Sequence, residues 1–539
     1  METFAADLNT MVRTPLNDGH VAALHRVGRR VHFKAGDWIQ KAGDRFDEFH
    51  YLLDGEMEAV NPTTGQRYGN ATLGPGQYVG ELAFLTGGKT FMGMRAVQDT
   101  ELLCVPRDDM LKLMSDIPEM SDIIISVFAA RRRRMVDNSE GGLTLIGGEV
   151  DRDVRRIASF ASRNRIPFVE VEIESDEGTA LANQCSLNRT SPAVVFGKHQ
   201  VIDPPTPRGV AATLGLDMAL RKEDVYDVAI VGGGPAGVAA GVYAGAEGLC
   251  AVVLEDLAIG GQAGTSSRIE NYMGFPTGIS GGDLVGRGEI QAMKFGTRFA
   301  MPVRATELMQ CEKHLFHIKL DNDDWVSAKA LIVATGVQYR RLPLERLEEL
   351  EGSGVYYAAT DVEARYCKDT EVAVVGGGNS AGQAAMFLAR TARHVHVLVR
   401  GESLASSMSD YLLQRLESHP RITIHLCTQI KELHGEDRLD AITVRDRRGA
   451  QDWKLNTKAV FIMAGAAPNT KWLSDLVELD DHGFVKTGSE VGASSGYETS
   501  RPGVFAVGDV RAGSVKRVAS AVGEGSVVMS AVWAHIADD

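Results

Sequence analysis

The first 137 residues alternate apolar and polar positions in short runs cut by glycine and aspartate. FKAGDWIQKAGDRFDEFHYLLDGEMEAV reads as strands joined by turns, because a period of two marks a half-buried strand and Gly/Asp pairs tolerate turn conformations. From Arg107 to Met135 the spacing becomes helical and ends in the run Arg131–Arg134, which reads as a solvated helix end. The pattern predicts a small β-roll with a C-terminal helix over 1–137.

The pattern changes over 138–222. LTLIG is a strand, and DRDVRRIASFASRNR is a helix with Val154, Ile157, Ala158 and Ala161 on one face. FVEVEI alternates as a strand, and SPAVVFGKHQVI gives two short strands around a turn. Prolines 204, 205 and 207 precede a short final helix. These elements predict a compact α/β domain.

From 223 to 539 glycine-rich turns separate strands from helices, and an internal repeat emerges. VYDVAIVGGGPAGVAAGVYAG returns as TEVAVVGGGNSAGQAAMFLAR, which implies two Rossmann-like dinucleotide-binding lobes. Val228–Ala246 and Val372–Ala389 are free of charge for nearly a membrane span, but three consecutive glycines break each one. They read as strand–turn–helix units, so no membrane span is expected.

Composition narrows the picture. The chain has 539 residues, enough for several domains at roughly 100–200 residues each. Its formal net charge is −14, the wrong sign for a general phosphate-backbone binder, so nucleic acid is not an expected partner. Six scattered cysteines form neither C-x-x-C nor a zinc spacing, the usage of a reducing cytoplasm. METFAADLNT lacks a basic segment followed by an apolar run, so no signal peptide is expected.

Candidate chemistry lies in the repeats. Gly232, Gly234 and Gly237, with Pro235 and Ala236 between them, form G-x-G-x-x-G directly after the strand Val228–Val231. Such a turn lets backbone N–H groups and a helix N-terminus approach a pyrophosphate. Glu255 ends the next strand, where a ribose-binding carboxylate belongs. In the second copy Gly376, Gly378 and Ala381, around Asn379 and Ser380, form the G-x-G-x-x-A variant. Its next strand ends in Arg400, which suits the 2′-phosphate of NADP; a solvated arginine would leave NAD possible. Two such sites suggest hydride passing from a nicotinamide to a flavin and electrons onward.

Residues 223–539 resemble the low-molecular-weight thioredoxin reductase family. Gly260-Gly261-Gln262 resembles its flavin-contacting GGQ, and IENYMGFPTGISGGDL, with Asn271, its flavin-proximal loop. LIVATGVQYRRL, with Thr335 and Gly336, resembles the crossover strand. VFAVGDV supplies Gly508 and Asp509, the latter matching the aspartate on the flavin ribityl chain. Lys516, Arg517, Val518 and Ala519 open KRVASAVGEG, which resembles the helix capping the flavin. The resemblance implies FAD bound by 223–345 and 466–539, NADP bound by 346–465, and a homodimer.

One departure changes the chemistry. Where the family carries a redox C-A-T-C, this chain has Ala358-Ala359-Thr360-Asp361. Asp361 reads either as a proton donor near the flavin or as a helix N-cap. Cys367 lies nearby without a partner and reads as a structural thiol. The later arginine of the 2′-phosphate site falls near Ala405.

Residues 1–137 resemble the cyclic-nucleotide-binding domain family through FKAGDWIQKAGD, FHYLLDGEMEAV, LGPGQYVGELAFL and ELLCVPRDDMLKLM. The resemblance places an effector at Gly80, Glu81, Leu82 and Ala83, with Glu81 toward a ribose 2′-hydroxyl. The expected phosphate arginine falls at Thr90 or Phe91, with Lys89 the nearest cation and Arg95 on a later strand. Residues 138–222 resemble a thioredoxin or glutaredoxin fold through Ser191-Pro192 before AVVF and PPTPRGVAATLGL. GGEVDRDV stands where C-x-x-C belongs and Cys185 is isolated, so this domain is expected to be redox-inactive.

Together these readings predict an NADPH-dependent FAD oxidoreductase. Its acceptor, a small molecule or a small redox protein, is open: a quinone, oxygen, a ferredoxin-like protein or an external disulfide. A thioredoxin-disulfide reductase using other thiols, and a redox sensor with little turnover, are the alternatives.

Overall fold

The computed structural model describes residues 14–538 apart from 69–71, 138–141, 148–150, 188–191, 198–199, 203–204, 217–219, 221–223, 267–268, 270, 312–314, 340, 358, 360, 406, 450, 464 and 474–475. The chain forms two compact units: Met1–Leu220 with Ile290–Val303, and Arg221–Glu289 with Arg304–Asp539.

The first unit opens with the expected β-roll. Arg29–Phe33, Thr100–Pro106, Glu48–Asp54 and Tyr78–Val79 make one antiparallel sheet, in that order. Trp38–Gln40, Gly93–Ala96 and Met57–Val60 make a second. Phe49, Phe84 and Phe128 meet edge to face in the core, burying apolar area that dominates the stability of such a small roll. The helical stretch after the roll is two helices, Arg107–Asp116 and Pro118–Asp137. Proline explains the break, since its missing N–H is tolerated at a first helical position and nowhere deeper.

The small α/β domain follows. Leu143–Ile146 pairs parallel with Phe168–Val171 and antiparallel with Ala193–Phe196, which in turn pairs with Gln200–Ile202. Its helices, Arg152–Arg163, Asp176–Gln184 and Pro207–Leu214, are capped by Asp151, Ser175 and Thr206, whose side-chain oxygens accept first-turn N–H groups. Val154, Ile157, Ala158 and Ala161 are all buried, as the helical spacing requires. The strand order is that of a thioredoxin-like fold. Ser191 and most of the GGE that replaces the redox motif lie outside the described residues.

The second unit holds both glycine motifs. In its first lobe Val225–Val231 lies between the parallel strands Ala251–Leu254 and Trp325–Val333, and Val504–Ala506 extends the sheet. In the second lobe Val355–Tyr356, Ala459–Ile462, Glu371–Val375, His394–Leu398 and Ile422–His425 form a parallel sheet in that order. Val337–Tyr339 and Ala466–Pro468 pair antiparallel where the chain passes between the lobes. The two charge-free stretches are the strand–helix units that the glycines imply. Among the described residues no helix is long and apolar enough to cross a membrane.

Candidate active site

The first glycine motif sits at the carboxyl edge of its sheet. Gly232 has φ +110°, and a side chain there would overlap the Ala334 carbonyl. A methyl group on Gly237 would overlap the Gly232 carbonyl. Gly234 caps the helix Pro235–Ala246 in an extended conformation, and nothing stands within 4 Å of where its Cβ would be. Two glycines therefore hold the turn together, and the third faces an open cradle at a helix N-terminus, the geometry a pyrophosphate needs.

Glu255 ends the adjoining strand beside this cradle. Its Oε2 accepts the Gly233 N–H at 2.7 Å, and its Oε1 accepts the Leu257 and Ala258 N–H groups at 3.0 and 3.3 Å. Burial, then the charge of neighbouring Asp256, pushes this carboxyl up to about 7. The next turn folds back over the motif: Gly260 N–H donates to the Gly233 carbonyl at 2.7 Å, and Gly260 and Gly261 both have positive φ. Gln262 Nε2 donates to the Val337 carbonyl. Thr335 Oγ1 donates to the Asn469 carbonyl at 2.8 Å, and Gly336 (φ +59°) has open space at its Cβ position. Asn271 lies exposed on its loop.

The late motif closes the first lobe. Gly508–Val510 is a short 3-10 turn with Gly508 at φ +74°. Glu524, on the helix Val518–Asp538, fixes it by accepting the Gly508 N–H at 2.7 Å and Arg511 NH2 at 2.8 Å. Sequence reasoning passed over Glu524, although its place inside SAVGEG, six residues into the capping helix, was visible. Burial raises the Asp509 carboxyl above the usual range. Lys516 Nζ donates to the Asp509 carbonyl at 3.2 Å. Arg517 and Ala519 are exposed at the start of the helix, with Val518 half-buried between them. A side chain on Gly525 would overlap the Ala236 carbonyl, so the two helices cross in close contact behind the cradle.

The second motif has the same backbone with a different closure. Gly376 has φ +149°, Gly378 caps the helix Asn379–Leu388, and Ala381 is fully buried. The loop after the next strand clasps the motif through serines. Ser407 Oγ donates to the Gly377 carbonyl at 2.7 Å, and Ser409 N–H donates to Asn379 Oδ1 at 2.8 Å. Ser407 thus performs for this lobe what the Gly260 N–H performs for the first, a match invisible without coordinates. Ser380 and Arg400 are exposed.

Between the motifs the redox cysteine pair is absent. Ala358 and Thr360 lie outside the described residues, and Asp361 is the first residue of the helix Asp361–Tyr366. All six cysteines are free. Cys367 is 1% exposed, and burial, then the charge of Glu363, pushes its thiol up to about 12, so it carries no thiolate at neutral pH.

In the roll, Gly80, Glu81 and Lys89 have partners within the chain. Glu81 is buried and accepts Nε of Arg132 at 2.8 Å, with a second contact from the same guanidinium. Arg131 donates to the Gly80 and Tyr78 carbonyls, both at 2.9 Å. The guanidinium of Arg132 lies over Phe91, one of the positions where a phosphate arginine was expected. The arginine run is therefore corrected: two of its members face inward because Glu81 and the Gly80 turn offer acceptors that burial would otherwise leave unpaired. Lys89 Nζ donates to the Ala212 carbonyl at 3.1 Å. Leu82 precedes the short helix Ala83–Thr86, in which Ala83 is buried.

Comparison with known proteins gives two family matches. Residues 226–525 match the family described as pyridine nucleotide-disulphide oxidoreductase, and 30–116 match the cyclic nucleotide-binding domain. A thioredoxin reductase of Mycolicibacterium smegmatis is 33% identical over 304 residues, covering 56% of this chain and 94% of that protein. The 34.2 kDa protein in the rubredoxin operon of Clostridium pasteurianum is 32% identical over 316 residues, covering 57% and 96%. The crystal structure of Lactococcus lactis thioredoxin reductase (FR conformation) aligns at 27% identity with a TM-score of 0.54, covering 58% of this chain and all of that one.

Proposed function

The chain belongs to the pyridine nucleotide-disulphide oxidoreductase family, as a thioredoxin reductase-like flavoprotein with an N-terminal cyclic nucleotide-binding domain, and from that premise we propose that it passes electrons from NADPH to an acceptor outside the chain. The carrying observation is the missing dithiol: Asp361 stands where the family has sulfur, and Cys367 is a buried thiol far above neutrality. A carboxyl group can donate a proton but cannot cycle between dithiol and disulfide, so the internal two-electron relay has no carrier.

Under this reading residues 223–345 and 466–539 hold FAD. Backbone N–H groups at Gly234, Pro235 excepted, through Gly237 take the pyrophosphate, Glu255 takes ribose hydroxyls, and Asp509 takes the ribityl chain. When bound, FAD accepts a hydride equivalent from reduced nicotinamide and releases electrons to the acceptor. Gln262, Thr335 and Gly336 line the approach to it, and Lys516 to Ala519 present a helix N-terminus to its polar edge. Residues 346–465 hold the nicotinamide nucleotide at Gly376, Gly378 and Ala381, with Arg400 against the 2′-phosphate. Residues 1–137 and 138–222 are separate domains, and the functional form is a cytoplasmic homodimer.

An anaerobic titration of the flavin-loaded chain with NADPH, read by flavin absorbance, tests this. Complete bleaching at one equivalent is expected. A requirement for a second equivalent means a hidden dithiol and overturns the reading, as does the absence of bleaching.

A further inference from the structure

We propose that the β-roll carries a zinc site built from Glu48, His50 and Cys104. The strands place it. Glu48 and His50 are two apart on Glu48–Asp54 and so share a face of the sheet. Cys104 lies directly across from His50 on the neighbouring antiparallel strand, which puts its sulfur on that same face. One ligand atom from each residue lies within 4.8 Å of the other two. A tetrahedral zinc with bonds of about 2.0–2.3 Å needs ligands roughly 3.3–3.8 Å apart, so small side-chain adjustments close the triangle.

A second observation marks the site as one that lacks a partner. His50 is 6% exposed, its Nδ1 is buried with no hydrogen bond, and its Nε2 stands 3.7 Å from Glu48 Oε2. A buried Nδ1 left without a hydrogen bond costs free energy that a cation bound at that nitrogen would recover. The donor set is one sulfur, one nitrogen and one oxygen, which suits zinc over magnesium or calcium. Thiolate and carboxylate together balance the two positive charges. Arg29 supplies the outer support: its NH2 donates to Glu48 Oε1 at 2.8 Å, leaving Oε2 for the metal. Glu48 is 29% exposed on its side chain, so the ion enters from that side and a water completes the tetrahedron. Burial raises the Cys104 thiol to about 11, and zinc binding there releases that proton.

The test uses Co²⁺ as a spectroscopic probe on the full-length, flavin-loaded, phosphine-reduced chain, as a difference spectrum against the same protein without metal. A thiolate-to-cobalt charge-transfer band saturating at one equivalent and abolished by Zn²⁺ is expected. Cys104→Ser removes the band. Glu48→Gln, at a partly exposed position, keeps it and weakens Co²⁺ binding at least about tenfold. No band in the unaltered chain, or a band that survives Cys104→Ser, overturns the proposal. Equal affinity in Glu48→Gln does so even if the cysteine variant fails to fold.

Discussion

At the scale of single residues, Glu255 shows how one side chain serves two ends. Its carboxyl closes the Gly233 turn and borders the cradle, and burial lifts it from an ordinary value near 4.3 to about 7. A group raised on folding stabilises the folded state fully at low pH and loses that contribution as pH rises through its folded value. The flavin-free protein should therefore lose stability between about pH 4 and 8, and Glu255→Gln should flatten that slope in thermal melts across the range. The same variant should weaken FAD binding, read by flavin fluorescence. The glycines separate cleanly by their surroundings. Gly234→Ala puts a methyl group into open space at an ordinary backbone conformation, so the fold should persist while FAD affinity falls by roughly tenfold or more. Gly237→Ala collides with a backbone carbonyl and should destroy the fold of the lobe. Circular dichroism beside a flavin titration distinguishes the two.

At the scale of elements, the helix Pro118–Asp137 is fastened to the roll by its last turns. Arg132 and Glu81 are both nearly buried, and removing one partner strands the other's charge, at a cost of about 3–5 kcal/mol. Arg132→Met should lower the midpoint of the first unfolding transition sharply, and the double variant with Glu81→Gln should restore most of the loss. An unchanged midpoint in the single variant would show that the pair carries no weight. The elements themselves were largely legible from sequence. Strand alternation, the helical face at Val154 to Ala161 and both strand–turn–helix units follow directly from residue spacing. What spacing hides is which partner a long side chain finds. Arg131 and Arg132 look solvated in a row of four arginines, and only the acceptors at Tyr78, Gly80 and Glu81 show that they turn inward. Ser407 and Glu524 were missed for the same reason: each acts on a backbone group distant in sequence, 30 residues away for Ser407 and 16 for Glu524.

At the scale of the whole molecule, a domain of the cyclic nucleotide-binding family precedes the oxidoreductase, yet Glu81 is paired with Arg132 and no arginine stands at Thr90 or Phe91. Cyclic AMP added to the full chain should therefore change neither its melting temperature nor its NADPH consumption; a shift of several degrees would contradict this. Lys89 tied to the helix Pro207–Leu214 by two hydrogen bonds adds that the roll and the small α/β domain share an edge. The turn that carries Asp509 has a different consequence. Glu524 and Arg511 set it from within the protein, so its shape does not wait for a guest. Stripping the flavin should leave a vacant mould, and reloading should follow simple second-order kinetics with full recovery, because little conformational entropy remains to be lost when the flavin arrives.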